Sequence, residues 1–261
     1  MKTGKFSKLI STSIFLVLFP IAIGMGVGIL GGGTWTIISS SGNDSYTKSL
    51  LHLNTDFTDS AAGGTHTWTA AGGAVIDGST KKFGAGSLLL DGTGDYIDTP
   101  DSVDWTMGTG NFTIDYWLQR GATGALYRIM GQCDSTGTTA STSFFCYFSA
   151  DNKLNAGVSV GAGVLKTATS TGTITDTMSF HHIAIVRNGD TLYLYIDGTG
   201  DGSIALGAGA VVRDSSNKVS IGRQGEYTLD YFNGYIDEVR ISKGIARWTS
   251  NFTPPTVEYG P

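Results

Sequence analysis

Only three of the 22 acidic residues are glutamate: Glu226, Glu238 and Glu258. A glycosidase needs two carboxyl groups ~5–9.5 Å apart across the scissile bond. Asp237-Glu238 is the nearest approach to such a pair, and no second glutamate stands beside it. Most aspartates sit in glycine turns such as Asp91-Gly-Thr-Gly-Asp95 and Asp197-Gly-Thr-Gly-Asp201, where they cap the backbone. His181 and His182 are adjacent, and adjacent residues on a strand face opposite sides, so they cannot share one ion. Nucleophilic triads find no support in the sequence. Calcium takes six to eight hard oxygens; Asn54, Asp56 and Asp237 can supply three if the first and last strands lie side by side. A second metal candidate is Asp151-Asn152. Sugar binding needs an aromatic face and polar groups for hydroxyls, and Trp105, Trp117, Tyr127, Tyr147, Tyr227 and Tyr231 are the aromatics able to give that face. The segment 222–231 offers Arg223, Glu226, Tyr227 and Asp230 together, with Tyr227 as its most loop-like aromatic.

These residues must be positioned by short strands. In residues 112–120, Phe112, Ile114, Tyr116 and Leu118 alternate with Thr113, Asp115, Trp117 and Gln119, a period of two. Residues 181–187 and 191–196 flank Asn188-Gly-Asp, a hairpin signal. Further strands are expected at 87–90, 96–98, 126–132, 143–149, 154–160, 218–222 and 235–242. Nothing between 49 and 242 keeps a period of 3.6 for three turns. The 38 glycines against five prolines read as tight turns between strands. Turn signals every ~8–12 residues predict an all-β, two-sheet antiparallel jelly-roll sandwich. Cys133 and Cys146 fall in two such strand runs around a polar loop. In an oxidising compartment the expectation is a disulfide worth roughly 3 kcal/mol, with two buried free thiols as the alternative.

The blocks Gly86-Ser-Leu-Leu-Leu-Asp-Gly-Thr-Gly-Asp-Tyr-Ile97 and Asn111-Phe-Thr-Ile-Asp-Tyr-Trp117 resemble the opening strands of laminin G-like jelly rolls. Those belong to the concanavalin A-like lectin/glucanase superfamily. Residues 181–198 are similar to that family's central hairpin, and Phe232-Asn-Gly-Tyr-Ile-Asp-Glu-Val-Arg-Ile241 to its closing strand. The tail 242–255 resembles versions found in bacteriophage and environmental bacterial surface proteins. The resemblance implies a sandwich that binds carbohydrate or protein, sometimes through Ca²⁺. The family's glucanases carry Glu-x-Asp-x-(x)-Glu on one strand, and this chain lacks the second glutamate.

Lys2, Lys5 and Lys8 precede an uncharged stretch that runs to Asp44, with an apolar core over residues 14–30. This is the pattern of a signal peptide, and residues 9–30 are also long enough for a membrane anchor. Either way residues 31–48 read as a Gly/Ser spacer and 49–261 as one domain delivered outside. Net charge is −5, which argues against nucleic acid as a partner. The expected protein is therefore non-catalytic and lectin-like, extracellular or at the cell surface, with a glycan or surface protein as partner. The membrane enters only through the N-terminal segment if uncleaved. The alternative is a structural or decorating module of a virion or cell-surface assembly; hydrolase action is the third reading.

Overall fold

A computed structural model describes residues 42–260. The expected signal or anchor segment 1–30, and the spacer up to residue 41, lie outside the described residues. The first strands are β1 (Thr47–Leu51), β2 (Thr69–Ala71), β3 (Val75–Asp77), β4 (Ser87–Asp91), β5 (Tyr96–Thr99) and β6 (Phe112–Arg120). Then come β7 (Tyr127–Gln132), β8 (Phe144–Phe148), β9 (Leu154–Val160), β10 (Val164–Thr169) and β11 (His181–Asn188). β12 (Thr191–Ile196), β13 (Thr199–Ala205), β14 (Val219–Ile221) and β15 (Asn233–Lys243) complete the set. A single 3-10 turn, Val103–Trp105, is the only helical element among the described residues. No helix there is long and apolar enough to cross a membrane.

The strands form two antiparallel sheets. One runs β13-β12-β11-β6-β15-β4-β3, with β1 also paired to β15; the other runs β10-β9-β8-β7-β14-β5-β2. The all-β sandwich expected from the alternation is what forms. β6 gives Phe112, Ile114, Tyr116 and Leu118 to the core between the sheets, because successive side chains on a strand point to opposite faces. β8 gives Phe144, Cys146 and Phe148 in the same way. Fully burying each large apolar side chain contributes roughly 1.5–3 kcal/mol, so this shared core fixes the register of both sheets.

The β11–β12 hairpin pairs Asn188 with Thr191. Its two-residue turn is therefore Gly189-Asp190, and Gly189 supplies the positive φ of 60°. Asn188 belongs to the strand rather than the turn.

The outward face of the β6–β15 sheet is not solvated. The segment after β15 folds back over it, packing Ala246, Trp248 and Phe252 onto Ala184, Val186 and Tyr195. Tyr259 packs with Leu50 and Ala61 further along. Under this cover, Asp115 is fully buried and receives two hydrogen bonds from Arg240, at 2.9 and 3.1 Å. Tyr259 donates its hydroxyl to the same carboxylate.

β1 begins at Thr47, which is buried. The fold thus starts inside the segment read as spacer. Cys133 and Cys146 are free, and both are buried. The expected disulfide is excluded by register: Cys146 pairs with Met130, while Cys133 lies three positions further along that strand direction. Three residues of strand span about 10 Å, beyond the ~7 Å limit for bridging two Cα atoms. Burial pushes the Cys133 thiol up to about 11 and Cys146 to about 12.

Candidate carbohydrate-binding site

The outward face of the β7–β9 sheet carries a groove. Phe145 and Tyr147 point outward because their neighbours Phe144, Cys146 and Phe148 face the core. Their rings lie 5.9 Å apart at 26°. Arg128 on β7 stands directly across from Tyr147. Its guanidinium lies 4.4 Å from the Tyr227 ring centre, donates to Gln224 Oε1, and has Nε 3.4 Å from Asp230 Oδ2. Leu126, Thr142, Leu165 and Thr167 line the rest of a cavity of about 260 Å³. That is near the lower end of the ~300–1,000 Å³ of small-ligand sites, a size for one sugar residue or a short terminus.

Two glycines make the floor possible. A Cβ on Gly157 would lie 2.5 Å from the Phe145 ring, and one on Gly131 would lie 2.8 Å from Gln224 Cγ. Without side chains at these positions, the tip of the Phe145 ring reaches over Gly157 of β9, and Gln224 reaches over Gly131 of β7 to Arg128. The result is an apolar floor, a half-buried tyrosine face, one cation and one amide.

Of the four residues expected to bind sugar, two, Tyr227 and Asp230, reach this groove only through Arg128, and none lines the cavity. Tyr227 is engaged within the protein: Arg128 lies over its ring, and a Cβ added to Gly137 would come 3.0 Å from it. Its part is to hold Arg128. Asp230 is exposed and balances the same guanidinium. Arg223 is buried elsewhere, bonded to Asp98 at 3.2 Å and 3.5 Å from the Tyr96 ring centre. Glu226 engages the loop through its backbone N–H, which donates to Cys133 O at 2.9 Å. The residues that sequence reasoning missed are Arg128, Phe145 and Gln224; Tyr147 is one of the six aromatics able to offer a face. The alternation of 143–149 already placed Phe145 and Tyr147 on one face, but nothing in the sequence says that face is open.

The other polar site lies in the opposite sheet. β15 pairs with β4 over Asn233–Ile236 and with β1 over Val239–Ser242. Between these partners the strand bulges, with Glu238 at φ 50°. Ile236, Val239 and Ile241 all face the core, so Asp237 and Glu238 both project outward. Backbone N–H groups of Lys82 and Phe83 donate to Asp237 Oδ2 at 2.8 and 3.1 Å. Glu238 meets His52 Nδ1 at 2.7 Å and accepts from Tyr259 N at 3.0 Å. Burial pushes Asp237 up to about 7 and raises Glu238, while the Glu238 carboxylate raises His52.

The expected calcium set does not assemble. Asn54 spends its oxygen on Ala85 N and its amide on Glu258 Oε1. Asp56 is exposed, caps Thr58 N at 2.9 Å, and lines a separate depression with Asp59 and His66. Asp237 alone keeps a free oxygen there. Oxygen donors that are engaged elsewhere or set apart in this way do not build calcium's shell of six to eight. At the second metal candidate, Asp151 accepts from the Ser149 hydroxyl, and Asn152 Oδ1 accepts from Arg120 and Gly124.

The two carboxylates Asp237 and Glu238 are each 1% exposed, so no polysaccharide reaches them. Gly157-Val-Ser159-Val-Gly161 matches the spacing of a nucleophile elbow, which requires a sharp strand-to-helix turn. It runs instead through β9 and just past its end, and the Ser159 hydroxyl donates to Thr139 O at 2.8 Å. Both features are structural.

A laminin G family model, described as the concanavalin A-like lectin/glucanases superfamily, matches residues 91–247. The chain belongs to that superfamily. Among solved structures it is similar to the binding domain of botulinum neurotoxin DC in complex with SialylT, at 13% identity and TM-score 0.61. That match covers 78% of this chain and 49% of the other. It is also similar to domain 4 of AbnA, a GH43 extracellular arabinanase from Geobacillus stearothermophilus, in complex with arabinotriose. Here identity is 18%, TM-score 0.57, and coverage 77% of this chain and 93% of that one. The botulinum neurotoxin serotype D binding domain matches at 12% identity and TM-score 0.61, over 80% of this chain and 50% of its own. The chain spans about half the length of the toxin domains it matches. No curated protein matches it.

Proposed function

We propose that this domain is a non-catalytic carbohydrate-recognition module, exported through its basic and apolar N-terminus, that binds a surface glycan in the β7–β9 groove. The observation that carries the reading is the constellation of Arg128, Tyr147 and Gln224 around an open cavity on a rigid sheet. Tyr147 supplies the face on which a sugar's C–H groups stack. Arg128 is held by Tyr227, Gln224 and Asp230 before any ligand arrives, which lowers the ordering cost of binding. Two structural neighbours are named as complexes with sugars, and that supports a glycan as the partner. The buried state of Asp237 and Glu238 supports a binding rather than a hydrolytic role. A glycan array probed with the purified protein tests the reading. Binding to a defined glycan class is the expected result. No binding, together with co-purification in a large particle, would replace it with a decorating role in an assembly.

A further inference from the structure

The bulge in β15 gathers groups that the glycan reading leaves unused. His52 leaves the end of β1, Glu238 sits in the bulge, and Glu258 comes from the tail that covers the sheet. One ligand atom from each lies within 4.8 Å of the other two. Three chain segments far apart in sequence thus converge on one point.

A second observation points to a ligand there. Asp237 is 1% exposed, and its Oδ1 has no hydrogen-bond partner. Leaving a buried carboxylate oxygen unpaired is costly. The bulge turns Asp237 to the same outward face as its neighbour Glu238. The turn 82–85 closes over the group, its N–H groups engaging Asp237 and Asn54. Glu258 is in turn steadied by the Asn54 amide at 2.6 Å. A ring nitrogen among carboxylates, with outer hydrogen bonds fixing those carboxylates, is the donor set of a borderline divalent ion.

We infer that His52, Glu238 and Glu258 bind a divalent transition-metal ion of the Zn²⁺ class rather than calcium, beside the unpaired carboxylate oxygen of Asp237. Binding releases the proton held between His52 Nδ1 and Glu238 Oε1 to solvent, since coordination uses the nitrogen lone pair. Their 2.7 Å separation then opens to about 3.4 Å, the spacing of two ligands on a tetrahedral ion with ~2.1 Å bonds. The ion would clip the end of β1 and the C-terminal tail to β15 where that strand changes neighbours.

The test is calorimetric titration of the chelator-treated full chain with ZnCl₂ and, separately, CaCl₂. Zinc is expected to bind one to one and raise the Tm, and calcium to do neither at the same concentration. His52→Ala and Glu258→Gln should each weaken zinc binding at least tenfold. Glu258→Gln keeps an oxygen for the Asn54 amide, so its folding is preserved, and circular dichroism checks this. Asp56→Asn should bind zinc as the parent does. Absence of zinc binding, equal binding of calcium, or undiminished zinc binding by folded His52→Ala would each overturn the assignment.

Discussion

Replacing Arg240 with methionine removes the partner of a carboxylate that has no access to water. Asp115 is fully buried and Arg240 2% exposed, and the two share a pair of hydrogen bonds at 2.9 and 3.1 Å. The guanidinium also lies 3.8 Å from the Tyr259 ring centre, so the side chain ties β6, β15 and the tail together. Breaking a buried pair on one side costs about 3–5 kcal/mol, because a charge is left uncompensated. For a domain of this size that lowers Tm by roughly 6–20 °C. The pH dependence supplies the sharper signature. Burial alone would raise Asp115, but the charge of Arg240, helped by His182, brings it down to about 2. A carboxyl held below its unfolded value of 3.8 adds stability above that pH, and this is lost as pH falls through about 2. The contribution is about 2 kcal/mol. In Arg240→Met the sign reverses: the unpaired acid is easiest to bury protonated, so stability should rise as pH is lowered from 7 to 4. Urea unfolding at both pH values reads this directly. A cost under 1 kcal/mol, or an acid response like the parent's, would refute the reasoning.

Two smaller outcomes follow from the packing. Gly157→Ala would set a Cβ 2.5 Å from both Lys166 O and the Phe145 ring; overpacking of this kind costs about 1–3 kcal/mol, and glycan binding should fall with the displaced ring, as titration and melting would show. Ellman titration should find no fast-reacting thiol in the native protein and two after unfolding, and added reductant should leave Tm unchanged, because Cys133 and Cys146 are buried and unbridged.

Much of the architecture followed from a period of two. β6, β9 and β12 fall where alternation put them, because each is a continuous strand with one apolar face. β2, β3, β10 and β13 escaped notice since they are short or largely exposed, with few buried side chains to mark a face. The glycine-rich start of β13 looked like turn alone, yet Gly202 lies close against Thr169 O. The site was harder to see. Within segment 222–231, Arg223 faces Asp98, while Arg128, distant in sequence, faces the groove. Which of two arginines meets solvent depends on the sheet pairing, which alternation does not encode. The bulge at Glu238 had the same effect on the polar cluster: strict alternation would send Asp237 and Glu238 to opposite faces, and the extra residue brings them together.

The central claim is that the β7–β9 face holds a sugar. Titration of an array-identified glycan into the parent protein, Arg128→Ala and Tyr147→Ala measures it most directly. Affinity should drop at least tenfold in each variant, about 1.4 kcal/mol, with the melting curve largely preserved. Equal affinity in parent and both variants would place recognition on another surface and contradict the account.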